Sequence, residues 1–307
     1  MPMSELVAAL KGALDYTRLY RRQTFVLKIG GETLGNPRAV RNLAMQVALL
    51  DSLSIRLVVV HGGGPQATRL SRELGVPVEI VAGRRVTTPA ALEVAKMVFA
   101  GQLNVELLAA LRRQGVRGVG LSGVDAGLIT AERREKVTVR DDDGNERLVD
   151  FGEVGDVTAV DPTLIETLVA RHYVPVVASL AATDDGRVLN VNADTIAERL
   201  AVALGAKKLI FLTSSPGLLR DARDPSSLVT FASPEDLEAM LASEAISAGM
   251  RPKVEACQRA VQGGVKRTHI IDGRAEDSLL VELFTGAGAG TMIVGHREAE
   301  DYREKEL

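Results

Sequence analysis

The chain has 307 residues, of which 46% are hydrophobic and 25% charged, with a net charge of −3. This is the make-up of a soluble globular protein large enough for two lobes, and it argues against a nucleic-acid partner, since there is no basic surplus and no Trp to stack on bases. A single cysteine, Cys257, rules out an internal disulfide. Neither a membrane-spanning apolar run nor a cleavable leader is expected, which points to a reducing cytoplasm.

Residues 4–20 carry apolar side chains at helical spacing and predict an amphipathic helix ahead of the first strand. The apolar run 25–29 contains Lys28 and closes on Gly30 and Gly31; a helix follows from Asn36-Pro37 to about residue 51. Residues 57–60, all apolar, run into His61, Gly62, Gly63, Gly64, Pro65 and Gln66, which predicts a strand buried on both faces that turns sharply into a helix over 65–74. A loop and short strand over 78–86 contain Gly83, Arg84 and Arg85, and a long helix over 89–114 is interrupted near Gly101. A strand over 116–121 ends in Ser122-Gly123, and residues 128–149 read as a polar hairpin whose tip, 141–145, holds three adjacent aspartates as a solvated turn.

A helix over 162–171 and a strand over 174–177 complete the first half. The second half opens with a strand that enters a helix through Asn190, Asn192 and Asp194. Residues 209–212 form a strand ending in Thr213, Ser214, Ser215, Pro216 and Gly217, and a helix spans 234–242. Arg251, Pro252 and Lys253 open another helix, followed by a strand over 268–271, a helix over 277–285, a glycine-rich loop over 286–290 and a closing strand. The alternation predicts an α/β fold: a doubly wound, mainly parallel sheet sandwiched by helices, with an extra N-terminal helix. The expected division is residues 1–23 for oligomerisation or regulation, 24–183 for one substrate and 184–307 for a nucleotide.

Two strands tipped by glycines offer bare N–H groups and helix N-termini to a phosphoryl group, but neither fits a Walker loop or a dinucleotide fingerprint. Lys28 at a strand tip and Lys253 at a helix start are positioned to reach a ligand, and Asp194 at a third tip can hold both ammonium groups toward a polyphosphate. No general base stands out, and an acceptor that is itself a carboxylate, ionised at neutral pH, needs none. Catalysis is then positioning plus charge neutralisation, the pattern of phosphoryl transfer. Arg85 can fork onto a substrate carboxylate and Asn190 can orient the same ligand.

The motifs Lys28-Ile29-Gly30-Gly31, His61 to Gln66, Gly83 to Thr87, Gly120 to Gly123, Asn190 to Asp194 and Met250 to Lys253 occur in the order and spacing of the acetylglutamate kinases, which the chain resembles over about residues 24–295. That group lies within the amino acid kinase family. The resemblance implies ATP-dependent phosphorylation of the γ-carboxylate of N-acetyl-L-glutamate in arginine biosynthesis. It assigns Lys28, Lys253 and Asp194 to the transferring phosphoryl group, with backbone donors from Gly30, Gly31, Gly63 and Gly64. Gly63, Gly64, Arg85 and Asn190 are assigned to the acyl amino acid, and Lys28, Gly30, Thr213, Ser214, Gly217 and Lys253 to the nucleotide. Mg2+ is expected to ride mainly on the ATP phosphates, with no dedicated protein metal site.

The N-terminal helix and the stretch from His269 through Glu282 to Gly288 resemble the arginine-inhibited branch. The branch implies L-arginine bound through His269, Glu282 and Gly288, and a hexamer built as a trimer of dimers. Ser214 stands where the family carries an aspartate beside the nucleotide, a departure at that subsite. The alternatives are a kinase for carrier-linked aminoadipate, one methylene longer, which is a discrimination of only about 1–3 kcal/mol, and a non-catalytic arginine-sensing subunit.

Overall fold

The computed structural model describes residues 3–295 except 82–83, 141–145, 222, 243–245 and 248. The aspartate-rich tip, Gly83 and His296 therefore lie outside the described residues.

An eight-stranded sheet runs through the molecule in the order Phe231–Ala232, Gly290–Val294, Arg267–Asp272, Lys208–Thr213, Thr24–Ile29, Arg56–His61, Val174–Ala178 and Gly118–Ser122. Neighbours pair parallel except Arg267–Asp272 with Gly290–Val294. The unbroken apolar character of the central strands follows from burial on both faces. Phe25, Leu27, Ile29, Leu57 and Val59 enter one hydrophobic cluster, while Val26, Val58 and Val60 enter the other. Lys28 shares the face of Val26 and meets the helix Ala193–Ala203 at Asp194, which Lys253 of the helix Arg251–Gln262 also reaches. His61 shares the face of Val59 and meets the long helical run Pro89–Arg113.

That run, 25 residues long, is the one helix among the described residues long and apolar enough, by length and composition, to cross a membrane, its most apolar 18-residue window having a mean hydropathy of 1.4. It is not an unbroken apolar run, since Glu93, Lys96, Gln102, Asn104 and Glu106 interrupt it. Its Leu92, Val98, Phe99, Leu103, Leu107 and Leu111 are core residues packed on the sheet. The interruption expected near Gly101 is a π-helical segment, Met97–Leu103, the kind of irregularity that frequently adjoins functional sites.

The region read as a polar hairpin contains more than that. Val137–Arg140 pairs with Glu146–Val149 as expected. Ile129–Arg133, however, belongs to a separate four-stranded sheet with Gly155–Val160, which lies beyond that region, and with Leu180–Ala182 and Val188–Asn190. The short helix Gly31–Leu34 was likewise not foreseen. The N-terminal helix Met3–Tyr20 forms as predicted, and Tyr20 packs edge-on against Phe25 and Phe284.

Candidate active site

The strands Thr24–Ile29, Arg56–His61 and Lys208–Thr213 lie side by side and end at the same edge, where parallel sheets commonly hold ligands. Asp194 reaches this edge in the first turn of its helix. Asn192 caps that helix, its Oδ1 accepting from the Asp194 N–H at 2.7 Å. Lys28 Nζ lies 2.7 Å from Asp194 Oδ1, and Lys253 Nζ lies 3.2 Å from Asp194 Oδ2. One carboxylate thus holds two ammonium groups, the three side chains coming from three different elements. Lys253 also donates to Gly249 O at 3.1 Å.

Lys28 and Asp194 are 7% and 5% exposed, so their charges act with little solvent screening. Burial pushes the Lys28 ammonium below its usual pKa and the neighbouring Lys253 adds to this, with Asp194 opposing. Burial alone would raise the Asp194 carboxyl, but the two ammonium groups outweigh it and keep it below the usual carboxylate range. The cluster carries one net positive charge and attracts an anion.

The glycine turns pack tightly around this cluster. A Cβ on Gly31 would come 2.8 Å from Pro65 Cδ, and one on Gly63 would collide with Leu103 and with Phe99 of the π-helical segment. Gln66 Nε2 donates to Gly31 O at 2.6 Å and locks one turn to the other. Gly31 and Gly64 open helices, so their N–H groups have no intrahelical acceptor. The expectation for Gly30 needs correction: its N–H donates to Leu212 O at 2.9 Å and is spent inside the sheet. Gly30 contributes close backbone approach and no free donor.

Arg85 and Asn190 line one cavity of about 530 Å3 beside Asn192. The guanidinium of Arg85 donates to Gly64 O at 3.0 Å and also to the Thr68 hydroxyl, which ties it to the second glycine turn. Burial lowers its pKa and Arg72 adds to the effect. Asn190 donates to the Thr87 hydroxyl at 3.1 Å. On the other side, Thr213 Oγ1 accepts from Ser215 N at 3.0 Å and shapes the loop that holds Ser214. The Ser214 carbonyl accepts from Arg274, and Gly217 packs against Thr291 and Leu228, where a Cβ would clash. Among the described residues no cluster of three or more His, Cys, Asp or Glu side chains is placed to hold a metal.

The predicted effector residues also meet. Glu282 and Gly288 line a cavity of about 280 Å3 together with His269, Lys208, Tyr16 and Tyr20. His269 Nδ1 is 2.5 Å from Glu282 Oε1, its Nε2 is 2.9 Å from Lys208 Nζ, and Glu282 Oε2 accepts from Ala289 N at 2.6 Å. Burial, with Lys208 beside it, lowers His269 to about 4 and keeps the ring neutral. Sequence reading missed Lys208, whose only signal was a lysine leading an apolar strand. It gave no part to Gln66, whose hydrogen bond to Gly31 O is made only by tertiary packing.

A buried carboxylate between two lysines at the end of a parallel sheet, flanked by glycine turns, is a setting suited to phosphoryl transfer. The chain belongs to the amino acid kinase family, whose model matches residues 23–272. It is 51% identical over 296 residues to an acetylglutamate kinase of Myxococcus xanthus, covering 96% of each chain, and 42% identical over 290 residues to one of Heliobacterium modesticaldum, covering 94% of this chain and 98% of that one. It is accordingly an enzyme that transfers a phosphoryl group to a carboxyl acceptor.

Among solved structures, N-acetylglutamate synthase from Neisseria gonorrhoeae complexed with coenzyme A and N-acetyl-glutamate superposes with a TM-score of 0.80 at 29% identity, covering 94% of this chain and 63% of that one. The same synthase complexed with coenzyme A and L-arginine gives a TM-score of 0.76 at 27% identity, covering 94% of this chain and 65% of that one. Carbamate kinase from Giardia lamblia, at 15% identity and a TM-score of 0.65, covering 89% of this chain and 98% of that one, shares the fold.

Proposed function

We propose that the chain transfers the γ-phosphoryl group of ATP to the γ-carboxylate of N-acetyl-L-glutamate in arginine biosynthesis, and that L-arginine inhibits it. The observation that carries the transfer is Asp194 held between Lys28 at 2.7 Å and Lys253 at 3.2 Å at the edge where two glycine turns meet. The carboxylate oxygen forms a bond to γ-phosphorus as the bond from γ-phosphorus to the β,γ-bridging oxygen breaks, giving an acyl phosphate and ADP. With a pKa of about 4.3 the attacking carboxyl is already ionised, so no base is needed. Lys28 and Lys253 neutralise charge on the transferring group, while Asp194 fixes where the two ammonium groups point.

The N–H groups of Gly31, Gly63 and Gly64 supply further donors. Arg85 and Asn190, sharing a cavity, orient the acyl amino acid, and Thr213, Ser214 and Gly217 shape the nucleotide side. Both oxygens of Asp194 face lysines, which suits Mg2+ carried by the ATP phosphates, where it shields their charge. On this reading residues 24–183 serve the acyl amino acid and 184–307 the nucleotide, in a cytoplasmic enzyme.

The arginine reading is supported by the cavity lined by Lys208, His269, Glu282 and Gly288. Glu282 matches a guanidinium and Lys208 a carboxylate. The related synthase complexed with L-arginine supports it as well. Leu14 and Leu19 of the N-terminal helix stand 56% and 65% exposed, which suits pairing with another subunit in a hexamer built as a trimer of dimers.

Trapping the product with hydroxylamine tests the function. Hydroxamate is expected from N-acetylglutamate with ATP and less of it when arginine is added. Hydroxamate from aminoadipate derivatives alone would move the enzyme to the longer substrate, and none from any acyl amino acid would leave a sensor.

A further inference from the structure

Beyond the groups that touch the phosphates, one buried side chain is set to aim a donor at them. His61 is fully buried at the end of the Arg56–His61 strand, on the sheet face opposite Lys28. Its Nδ1 lies 3.0 Å from the carbonyl oxygen of Gly62. A carbonyl oxygen only accepts, so Nδ1 carries the proton. Nε2 lies 3.4 Å from Asn104 Nδ2, and the same amide nitrogen lies 3.0 Å from Val176 O and 3.3 Å from Leu121 O, so its two hydrogens are shared among three acceptors. Nε2 is then the acceptor, and the ring is a neutral Nδ1–H tautomer, consistent with the burial that lowers its pKa to about 4.

Asn104 is itself 3% exposed and follows the π-helical segment directly. Gly120 leaves it room, since a Cβ there would collide with Asn104 Oδ1. The three contacts of Asn104 anchor the imidazole to two neighbouring strands.

The peptide joining Gly62 and Gly63 is trans, so the Gly62 carbonyl and the Gly63 N–H point in opposite directions within one plane. Drawing the carbonyl toward the His61 ring turns the Gly63 N–H to the other side. A Cβ on Gly62 would lie 3.3 Å from the Cβ of Ala193, the residue before Asp194, so this turn packs against the start of the helix that carries Asp194. The Gly63 N–H has no acceptor among the described residues.

We propose that His61, locked by Asn104, is a positioning residue that aims the Gly63 N–H at the transferring phosphoryl group. The inference rests on the phosphotransfer reading, but it can fail separately. In the full-length enzyme, His61→Asn keeps an amide donor at the Nδ1 position. His61→Gln keeps one near Nε2, fills more of the space, and releases the Gly62 carbonyl. The asparagine variant is expected to recover kcat to within about threefold of the parent. The glutamine variant is expected to lose about tenfold to a hundredfold in kcat, with the KM of either substrate moving by less than about threefold.

Simple packing loss ranks the two the other way, because the smaller residue leaves the larger cavity. A kcat order that follows thermal stability, or equal kcat values, would overturn the proposal. A second readout needs no substitution: the chain has four histidines, and long-range 1H–15N spectra of the wild-type protein should show His61 as the Nδ1–H tautomer. An Nε2–H or doubly protonated ring at neutral pH would overturn it. A wild-type chain that forms no acyl phosphate would instead remove the phosphotransfer reading while leaving the tautomer test in place.

Discussion

Two buried clusters occupy opposite ends of adjacent strands and share their raw materials. At one end Lys28, Lys253 and Asp194 stand together; at the other, Lys208, His269 and Glu282. Lys208 leads the strand whose last residue, Thr213, borders the first cluster. Each site has a deeply buried lysine and one carboxylate, yet their net charges differ. Two ammonium groups on one carboxylate leave a positive centre suited to polyphosphate. A neutral imidazole between one ammonium and one carboxylate leaves zero net charge with its poles separated, which suits a zwitterion with a cationic tail. Burial is common to both; the two differ in charge count and in whether the middle group is ionised.

The largest expected effect breaks the positive centre. Lys28→Met and Lys253→Met should each lower kcat by about a thousandfold, and the double variant should be far less than multiplicative, because the two lysines act as a unit around one phosphoryl group. Steady-state kinetics with both substrates checks this. Glu282→Gln, by contrast, should act on inhibition: removing one charged partner of a guanidinium should raise the arginine inhibition constant by about tenfold to a hundredfold. Isothermal titration should show the same loss in direct binding.

The neutral imidazoles give a pH signature. His269 and His61 have folded pKa values near 4, against 6.5 for an ordinary histidine. Between those values the unfolded chain binds more protons than the folded one. Stability is therefore full above pH 6.5 and falls as the pH drops toward 4, by about 3 kcal/mol at most for each ring. Calorimetry across that window should show it, and His269→Gln should flatten part of the slope. The smallest effect separates two adjacent glycines. Gly63→Ala forces a methyl group into Phe99 and Leu103 and should cost about 1–3 kcal/mol, whereas Gly64→Ala meets open space and should change stability by less than about 0.5 kcal/mol.

The sequence made the positive centre easy to find, because each member sits at an abrupt change of pattern. Lys28 interrupts an apolar run, Asp194 follows two asparagines at a helix entry, and Lys253 follows a proline. The cluster of Lys208, His269 and Glu282 was only half legible. His269 and Glu282 came from a resemblance, and Lys208 stayed hidden because a lysine at the start of a strand looks solvated. The Gly30 N–H was misjudged because strand pairing with Leu212 cannot be read from a local motif. The strands Ile129–Arg133 and Gly155–Val160 escaped for a related reason: their partners lie far along the chain, and polar outer faces dilute their alternation. Asn104 gave no signal at all, since its function depends on a carbonyl from each of two other strands.

The central claim is that two lysines held by one carboxylate carry phosphoryl transfer to an already ionised acid. A single-turnover quench with γ-labelled ATP and N-acetylglutamate tests it most directly, comparing the wild-type enzyme with Asp194→Asn. The account predicts rapid label transfer to acyl phosphate in the wild type and a burst rate lower by at least about a hundredfold in the variant, with ATP still bound. An equal burst from both proteins would contradict it.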